Sequence, residues 1–507
     1  MSGARVVVVG GGNAGLCAAI SAREAGADVT VLEVAPRELA GGNSAFTAGL
    51  MRTAFRGVDD IRALVPDLTD DEVATTDFGT YPEERFLADL GRVTEYRCDP
   101  ELAETLVSAS HRTLAWMRDH GVRFAPAYGR QAYRVGGRFV FWGGVVVEVV
   151  GGGPGLVASL TAEADRMGIE IRYDARAAGL LHDDDGVHGV RARVDGTTGP
   201  LEADAVVLAA GGFQADAAWR ARYLGPGWDL AKVRGTRFDT GDGIRMALEA
   251  GASPAGNWSG CHAVSWDRNA PEFGDLEVGD GFQKHSYPLG IMVNAQGERF
   301  LDEGADFRNF TYAKYGRVVL AQPGQFAWQV FDAQVAHLLR HEYRIRQVTR
   351  VAAGSLEELA TRLEGVDPAG FLRTVTRYNA AVRRHVAFDP NVLDGRGTDG
   401  LDPPKSNWAN PLEVAPFEAF AVTCGITFTF GGVRIDTDAR VLDVAGRPIP
   451  GLYACGEMGA GIFYFNYPGG SGLTTGSVFG RAAGRHAASA PLRPRTEPGP
   501  SIVSSQR

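Results

Sequence analysis

The feature that most restricts the fold of this chain is the order of residue types over positions 5–33. The β-branched run Arg5-Val6-Val7-Val8-Val9 leads directly into the glycine-rich turn Gly10-Gly11-Gly12-Asn13-Ala14-Gly15. An apolar helical stretch follows and stops near Gly26, and a second strand over residues 28–33 ends in Glu33. A strand buried on both faces, a helix and another such strand predict a βαβ unit within a parallel sheet.

The small and acidic residues of this unit have distinct physical roles in holding a dinucleotide. Gly10 permits the tight turn, Gly12 allows the backbone to approach a pyrophosphate, and Gly15 lets the helix pack closely on the strand. The helix N-terminus favours phosphate, and Glu33 can accept hydrogen bonds from a ribose diol. A βαβ unit that binds no ligand is the less favoured alternative, because the strand, the glycines, the helix, the second strand and the acidic residue all occur at the expected spacing. The residues predicted to contact the cofactor here are Gly10, Gly12, Asn13, Ala14, Gly15 and Glu33.

Composition limits the classes of protein to which the chain can belong. Its 507 residues suffice for two domains with appendages, and 45% hydrophobic with 22% charged residues is ordinary for a globular protein. The net charge of −10 argues against nucleic acid or an anionic membrane as a partner. An anionic substrate would therefore need local arginines to bind.

Cysteine usage and hydropathy indicate the compartment. The five cysteines are scattered without a Cys-x-x-Cys pair, which argues against an iron–sulfur cluster or zinc ribbon in this chain and favours a reducing compartment. No His, Asp and Glu cluster has ligand spacing, so we expect no metal. No apolar run reaches the ~20 residues that span a bilayer, and no signal peptide precedes the first strand. We expect a cytoplasmic protein without stable membrane insertion.

A second glycine-rich segment lies between Gly41 and Gly49. Its Gly-Gly-Asn-Ser sequence resembles the flavoprotein superfamily of fumarate reductases, succinate dehydrogenases and ketosteroid dehydrogenases, in which this segment runs under the isoalloxazine ring. Members with covalent flavin carry a histidine there, and this segment has none, so the resemblance implies non-covalent FAD. The contacts it implies come from Gly42, Asn43, Ser44, Thr47, Ala48 and Gly49.

Later segments extend the resemblance. A strand ends in Ala209-Ala210-Gly211-Gly212, a Thr240-Gly241-Asp242-Gly243 turn precedes a helix, another strand ends in Gly456-Glu457, and Ser471-Gly472-Leu473 opens the last helix. A helix N-terminus aimed at the flavin N1/C2=O edge would stabilise the negative charge gained on reduction. Only one dinucleotide fingerprint exists, which favours FAD over NAD and implies a separate electron acceptor, namely a protein, a quinone or O2. The implied contacts are Ala210, Gly211, Gly212, Asp242, Gly456, Glu457, Ser471, Gly472 and Leu473.

The resemblance implies an α/β fold. We expect a Rossmann-like FAD-binding domain of the two-dinucleotide-fold flavoprotein type, with an inserted α+β capping domain where glycines become sparse. The predicted FAD-binding parts are residues 1–258 and 402–490, and the predicted capping domain is residues 259–401. Residues 491–507 are predicted to form a disordered tail. A helix is expected over residues 333–347 of the capping domain.

Motifs expected to lie near the substrate make the resemblance to one family within this superfamily more specific. Their combination is similar to the tricarballylate dehydrogenase family, which implies FAD-dependent oxidation of a CH–CH bond next to a carboxylate or carbonyl, with hydride transfer to flavin N5. A tricarballylate-like polycarboxylate is the favoured substrate. The motifs are Cys261-His262-Ala263, Gln283-Lys284-His285-Ser286-Tyr287-Pro288, the segment from Arg299 to Asn309, the segment from Gly425 to Gly432, and the segment from Asn466 to Gly472.

Two positions depart from the fumarate reductase pattern. The substrate-binding histidine of those enzymes is replaced by Thr427, and their substrate-binding arginine is replaced by Asn466 or, as the better fit, by Tyr467. Two carboxylate-binding side chains are thus missing. Fumarate or succinate is therefore disfavoured as the substrate.

Four residues are the candidates for catalysis. Arg308, one residue further from Arg299-Phe300 than the proton-shuttling arginine of the reductases, is expected to transfer the proton. His262 and His285 are expected to bind substrate carboxylates, or else to be packed or surface histidines. Tyr467 is an acid–base phenol or a donor to a carbonyl, with packing over flavin as the alternative. For Arg308 the alternative is a salt bridge to Asp302, Glu303 or Asp306.

Two rival functions remain open. A desaturase similar to 3-ketosteroid Δ1-dehydrogenases would suit a neutral carbonyl substrate, because Tyr467-Pro468-Gly469 resembles the enol-stabilising motif of that group. His262, His285 and the acidic run after Arg299 argue against this reading. A flavoprotein with structural or non-redox FAD is the second rival.

Overall fold

The computed structural model describes residues 3–194 and 196–493, so the predicted tail lies outside the described residues from position 494 onward. The strands are β1 (Arg5–Val9), β2 (Asp28–Leu32), β3 (Leu50–Met51), β4 (Thr76–Asp77), β5 (Phe124–Pro126), β6 (Ala132–Val135), β7 (Arg138–Phe141), β8 (Val147–Val149), β9 (Glu170–Arg172), β10 (Arg176–Asp183), β11 (Gly186–Val194), β12 (Thr197–Glu202), β13 (Ala205–Leu208), β14 (Lys232–Val233), β15 (Pro254–Asp267), β16 (Ile291–Val293), β17 (Phe326–Phe331), β18 (Arg350–Ala353), β19 (Phe417–Arg434), β20 (Arg440–Leu442), β21 (Pro448–Ala454) and β22 (Gly459–Ala460).

The helices are distributed among these strands along the chain. They are α1 (Asn13–Glu24), α2 (Val58–Leu64), α3 (Asp70–Ala74), α4 (Glu83–Val93), α5 (Pro100–Asp119), α6 (Tyr128–Gln131), α7 (Gly152–Arg166), α8 (Ala217–Trp219), α9 (Asp242–Glu249), α10 (Tyr312–Leu320), α11 (Leu356–Arg362), α12 (Pro368–Ala381) and α13 (Ser471–Ala487). None of the described helices combines the length and the apolar character that crossing a bilayer requires.

The first sheet is built around β1. Its strand order is β20-β21-β13-β1-β2-β9, with β1 parallel to β2 and β13, and β21 parallel to β13. Helix α13 packs tightly on α1, because a Cβ on Gly484 would lie 2.0 Å from the carbonyl oxygen of Ala18. The predicted α/β, Rossmann-like organisation is confirmed.

The second sheet is built around the long strand β19. Its strand order is β14-β19-β17-β16, and β15, β18 and β22 also pair with β19. Helix α10 lies against β15 so closely that a Cβ on Gly316 would be 2.4 Å from the carbonyl carbon of Ala263. This contact brings the first turn of α10 next to His262.

The predicted domain division stays a prediction. Its boundary at 258/259 falls inside β15, at an irregularity between Asn257 and Cys261 where the register with β19 shifts, and β15 pairs with β19 on both sides of that irregularity. Its boundary at 401/402 falls in the loop before β19. A dividing line at either end of β15 would leave this strand intact.

The helix expected over residues 333–347 is wrong. The segment forms two short 3-10 turns, Ala336–Leu338 and His341–Tyr343, separated by extended backbone at Arg340. Tertiary bonds explain the difference, since the Tyr343 hydroxyl donates to Gln329 at 2.5 Å and accepts from the backbone N–H of Ser286 at 2.8 Å. Packing of this tyrosine overrides local helix propensity.

Candidate active site

A deep cleft runs between the two sheets. One end is lined by the turn after β1, including Gly10 and Gly12, and by Glu33 at the end of β2. The other end is lined by His262 and Arg308. The cleft therefore connects the predicted nucleotide-binding turn with the predicted catalytic side chains.

The glycines at the nucleotide end are of two kinds: some pack directly against the chain, and others leave room for a ligand. A Cβ on Gly10 would lie 2.3 Å from the carbonyl oxygen of Ala209, and one on Gly15 would lie 1.9 Å from that of Gly10. By contrast, a Cβ on Gly12 would have no atom nearer than 3.5 Å, and one on Gly42 none nearer than 3.9 Å. Gly12 and Gly42 line the cleft without a steric clash at Cβ, which is compatible with close approach of a pyrophosphate to their backbone.

Glu33 is fixed by the chain and still open to the cleft. Its carboxylate accepts the N–H of Gly11 at 2.7 Å and that of Ala35 at 2.8 Å. Burial raises the pKa of this carboxyl. The remaining lone pairs are available to ribose hydroxyls, so the residues at this end fit FAD.

Two predicted cofactor residues mainly hold the cleft together. The Asn13 side chain donates to the carbonyl of Leu473 at 2.9 Å and to Ser477 at 3.0 Å, which ties α1 to α13. The Asn43 side chain accepts the N–H of Thr236 at 2.8 Å and donates to the carbonyl of Thr427 at 2.5 Å. Asn43 thereby bridges the first sheet's loop to the second sheet.

Two buried carboxyl groups share one amide in the middle of the cleft. Gln214 donates to Asp239 at 2.7 Å and to Glu457 at 3.2 Å, and the N–H of Thr429 donates to Glu457 at 2.7 Å. Burial raises the pKa of Glu457 to about 7, and burial together with Glu457 raises that of Asp239. The predicted Asp242, in contrast, forms an ion pair with Arg176 at 3.1 Å.

Arg308 forms no salt bridge with the three acidic residues that the alternative interpretation pairs with it. Asp302 accepts from Ser406, Glu303 pairs with Arg299 at 2.5 Å, and Asp306 pairs with Arg92 at 2.7 Å. Arg308 donates from Nη2 to the carbonyl of Arg130 at 2.6 Å, while its buried Nε has no partner among the described residues. Burial, followed by the charge of Arg340, lowers the pKa of Arg308 to about 9.

The two candidate histidines are buried and neutral. Within the described part of the chain, neither ring nitrogen of His262 has a hydrogen-bond partner, and the same holds for Nε2 of His285. Burial and then Arg234 lower the pKa of His262, and burial and then Arg308 lower that of His285. A register shift between His262 and Ala263 interrupts the pairing of β15 with β19 at this point.

Tyr467 forms a pair with a residue that sequence reasoning missed. Its hydroxyl is hydrogen-bonded to that of Tyr312, the first residue of α10. The ring of His262 meets both phenol rings edge-on, with centroids 5.0 Å from Tyr312 and 4.7 Å from Tyr467. Burial, then Tyr467, raises the pKa of Tyr312, so this phenol stays protonated.

Arg234 is a second residue that the sequence did not reveal. It follows β14, where its backbone N–H donates to the carbonyl of Ile426 at 2.7 Å. Its Nη1 donates to the Thr427 hydroxyl at 3.3 Å, and its buried Nε has no partner in the described ranges. A guanidinium therefore stands beside the position where the fumarate reductase pattern has a histidine.

Comparison with known proteins supports the cofactor expectation. A family model described as an FAD binding domain matches residues 5–473. The chain belongs to this FAD-binding flavoprotein family. Its cofactor is FAD, and it is an oxidoreductase of the class that acts on CH–CH groups. The fumarate reductase/succinate dehydrogenase superfamily expected from the sequence is confirmed.

The matches to similar proteins extend over nearly the whole of this chain. The fumarate reductase (cytochrome) of Shewanella frigidimarina is 31% identical over 494 residues, spanning 95% of this chain and 76% of the relative. The 4-oxocyclohexanecarboxylate 2-dehydrogenase of Sinomonas cyclohexanicum is 30% identical over 557 residues, spanning 95% of this chain and 92% of the relative. The structure of the open conformation of a flavocytochrome c3 fumarate reductase matches with a TM-score of 0.71 and 28% identity, over 96% of this chain and 78% of that one.

The flavoprotein places most of the sequence-predicted site residues on the cleft. All four catalytic candidates line it. Among the described residues, no group of three or more His, Cys, Asp or Glu side chains is arranged to hold a metal. Four predicted cofactor residues lie behind the cleft wall, where a larger residue at the three glycines would clash with neighbouring atoms: Gly15, Gly49, Gly212 and Ser471.

Proposed function

We propose that this flavoprotein transfers hydrogen between FAD and a CH–CH bond next to a carboxylate or carbonyl in an anionic substrate. One observation carries the proposal: Arg234 and Arg308 face one cleft, and no ion pair joins either to a carboxylate in the described residues. Glu342 acts on Arg308 through its charge without forming an ion pair with it, and buried cations without a contacting counter-charge are unfavourable. A substrate carboxylate would supply the missing charge.

We assign different roles to the residues around this cleft. Arg234 and the neutral His262 bind a carboxylate beside Thr427, and Arg308 with His285 lies at a second position. Arg308 transfers the proton, because a guanidinium with a pKa of about 9 exchanges its proton far more readily than an exposed one. FAD, when bound, accepts or returns the hydride. Burial of the side chains that surround the reacting bond excludes water from it.

Within this class we propose a tricarballylate-like polycarboxylate first. Its support is the sequence resemblance together with the two separate guanidinium positions, which suit carboxylates at both ends of one molecule. The pair of neutral histidines adds donors without adding charge. The electron acceptor, in this proposal, is a separate protein, quinone or O2.

A specific observation also favours a substrate that carries a carbonyl. Tyr312 and Tyr467 share one hydrogen bond between their hydroxyls, which leaves one hydroxyl proton for an outside acceptor. A neutral phenol is a suitable donor to a ketone oxygen on which negative charge develops. The Sinomonas relative is named for a substrate with both an oxo group and a carboxylate. A neutral ketosteroid, by comparison, would leave both guanidinium groups unpaired.

An anaerobic screen tests the proposal. The FAD-loaded protein is mixed with tricarballylate, succinate, 4-oxocyclohexanecarboxylate and a 3-ketosteroid, and bleaching of the oxidised flavin band is followed. Reduction by a carboxylate but not by the steroid supports the proposal. Reduction by the steroid alone contradicts it.

The opposite direction provides the second arm of the screen. Enzyme reduced with dithionite is mixed with cis-aconitate and fumarate, and return of the flavin band is measured. Failure of every compound in both directions would favour structural or non-redox FAD.

A further inference from the structure

Arg52 is a completely buried cation attached to the start of α13. Its backbone N–H donates to the carbonyl of Gly470 at 2.9 Å, and its Nε donates to the carbonyl of Gly469 at 2.8 Å. Its own carbonyl accepts the hydroxyl of Thr474 at 2.8 Å. Three bonds therefore fix this arginine to the turn that precedes the helix.

The bond to Gly469 has a consequence for the peptide that follows. A trans peptide is planar, and its C=O and N–H groups point in opposite directions. Because Arg52 holds the carbonyl of Gly469, the N–H of Gly470 points away from the guanidinium. Gly470 itself lines the cleft, directly before the N-terminus of α13.

The charge of Arg52 is not balanced by contact with an acid. Neither Nη1 nor Nη2 has a hydrogen-bond partner among the described residues, and rings surround the guanidinium instead. Its central carbon lies 5.0 Å from the ring centroid of Tyr81, 5.3 Å from that of Phe310 and 5.8 Å from that of Phe86. Asp89 accepts the Tyr81 hydroxyl at 2.9 Å and pairs with Arg92 at 3.3 Å.

We propose that Arg52 is a positioning residue that raises the reduction potential of the bound FAD. It orients the Gly470 N–H into the cleft and adds a full positive charge to the positive end of the α13 dipole. Both effects favour the negative charge that FAD gains when it takes up electrons. This inference rests on the FAD site and is independent of the substrate.

The test is dye-coupled reduction of the FAD-loaded full chain without substrate, using the variants Arg52→Gln and Arg52→Lys. At a fixed dye potential, R52Q is expected to lower the ratio of reduced to oxidised FAD by about tenfold, the order that one buried charge produces. R52K, which keeps the charge, is expected to recover most of that loss. The matched control is Arg85→Gln, since Arg85 lies over the same buried Tyr81 ring but is itself exposed.

Equal shifts in R52K and R52Q would overturn the proposal, as would an unchanged ratio in R52Q. Because R52Q removes bonds that support the turn, Asp89→Asn provides a milder second variant. It removes the negative charge that accepts the hydroxyl of Tyr81, the ring beside Arg52, and is expected to raise the ratio about twofold. An unchanged or lowered ratio in D89N would also count against the proposal.

Discussion

The two ends of the cleft are built in opposite ways. At the nucleotide end, backbone atoms approach closely, and polar side chains such as Glu33 and Asn13 are bonded to the chain itself. At the substrate end, Arg234, Arg308 and His262 all keep buried polar atoms without a partner in the described residues. The first end is complete as a binding surface, whereas the second has polar groups that a ligand must satisfy. This difference indicates which end confers specificity.

Substitution of two glycines in the same turn gives the largest expected effect. In Gly15→Ala the new Cβ would lie 1.9 Å from the carbonyl oxygen of Gly10, so we expect no retained FAD and a destabilisation of about 3 kcal/mol or more. In Gly12→Ala the nearest atom is 3.5 Å away, so we expect a normally folded apoprotein with at least ~tenfold weaker FAD binding. Melting temperature and a flavin-fluorescence titration measure both. Wild-type FAD affinity in G12A would show that the cofactor does not approach the backbone of Gly12 closely.

Removal of the proposed proton carrier is expected to slow chemistry without loss of cofactor. Arg308→Ala should reduce the rate of flavin reduction in a single turnover by about 10²–10⁴-fold, the usual contribution of a general acid or base. Asp306→Asn is the control, because it breaks only the neighbouring ion pair with Arg92. Near-normal reduction in R308A would exclude Arg308 from the proton transfer.

Substitution of Arg234 tests recognition at the substrate end rather than chemistry. Arg234→Gln should weaken substrate binding by about 10–100-fold, since a charge-assisted bond contributes about 1.5–3 kcal/mol. The exposed Arg237→Gln, three residues later, should bind substrate normally. Equilibrium titration of the flavin spectrum measures the affinity. Equal losses in the two variants would refute a specific contact at Arg234.

The smallest expected effect is the pH dependence of apoprotein stability. Burial raises the pKa of Glu457 from 4.5 to about 7 in the folded state, so the folded chain binds a proton that the unfolded chain releases first. Stability from this group is therefore full below about pH 4.5 and falls as the pH rises toward 7. The melting temperature should drop by a few degrees between pH 5.5 and 8, and Glu457→Gln should reduce that slope. The same slope in E457Q and the wild type would contradict this origin.

Sequence reasoning performed differently at the two ends for a physical reason. The nucleotide end follows from local order, because a strand, glycines and a helix within 30 residues determine their own geometry. The sequence did not indicate Arg234 as a site residue, because its position in the cleft depends on pairing between β14 and β19, which lie nearly 200 residues apart. It did not indicate Tyr312 either, because the hydroxyl partner of this residue, Tyr467, lies 155 residues away. Asp239 and Asp242 both line the cleft, and only the fold distinguishes them, because Asp239 accepts a hydrogen bond from Gln214 whereas Asp242 pairs with Arg176.

The helix missed over residues 333–347 follows the same rule. Its residues have adequate helix propensity, yet the Tyr343 hydroxyl is bonded to the β17 residue Gln329 and to the backbone of Ser286. Local helix propensity is overridden where hydrogen bonds to distant residues fix one side chain in place. Long-range anchoring, more than composition, limited the accuracy of the sequence predictions.

The bonds from Asn13 to Leu473 and Ser477 join positions 460 or more residues apart. During synthesis the glycine turn therefore leaves the ribosome long before its helical brace exists. FAD loading is thus expected only after translation has passed α13. A nascent chain that stalls earlier would expose the glycine turn with α1 unsupported, so cofactor uptake depends on translation having passed α13.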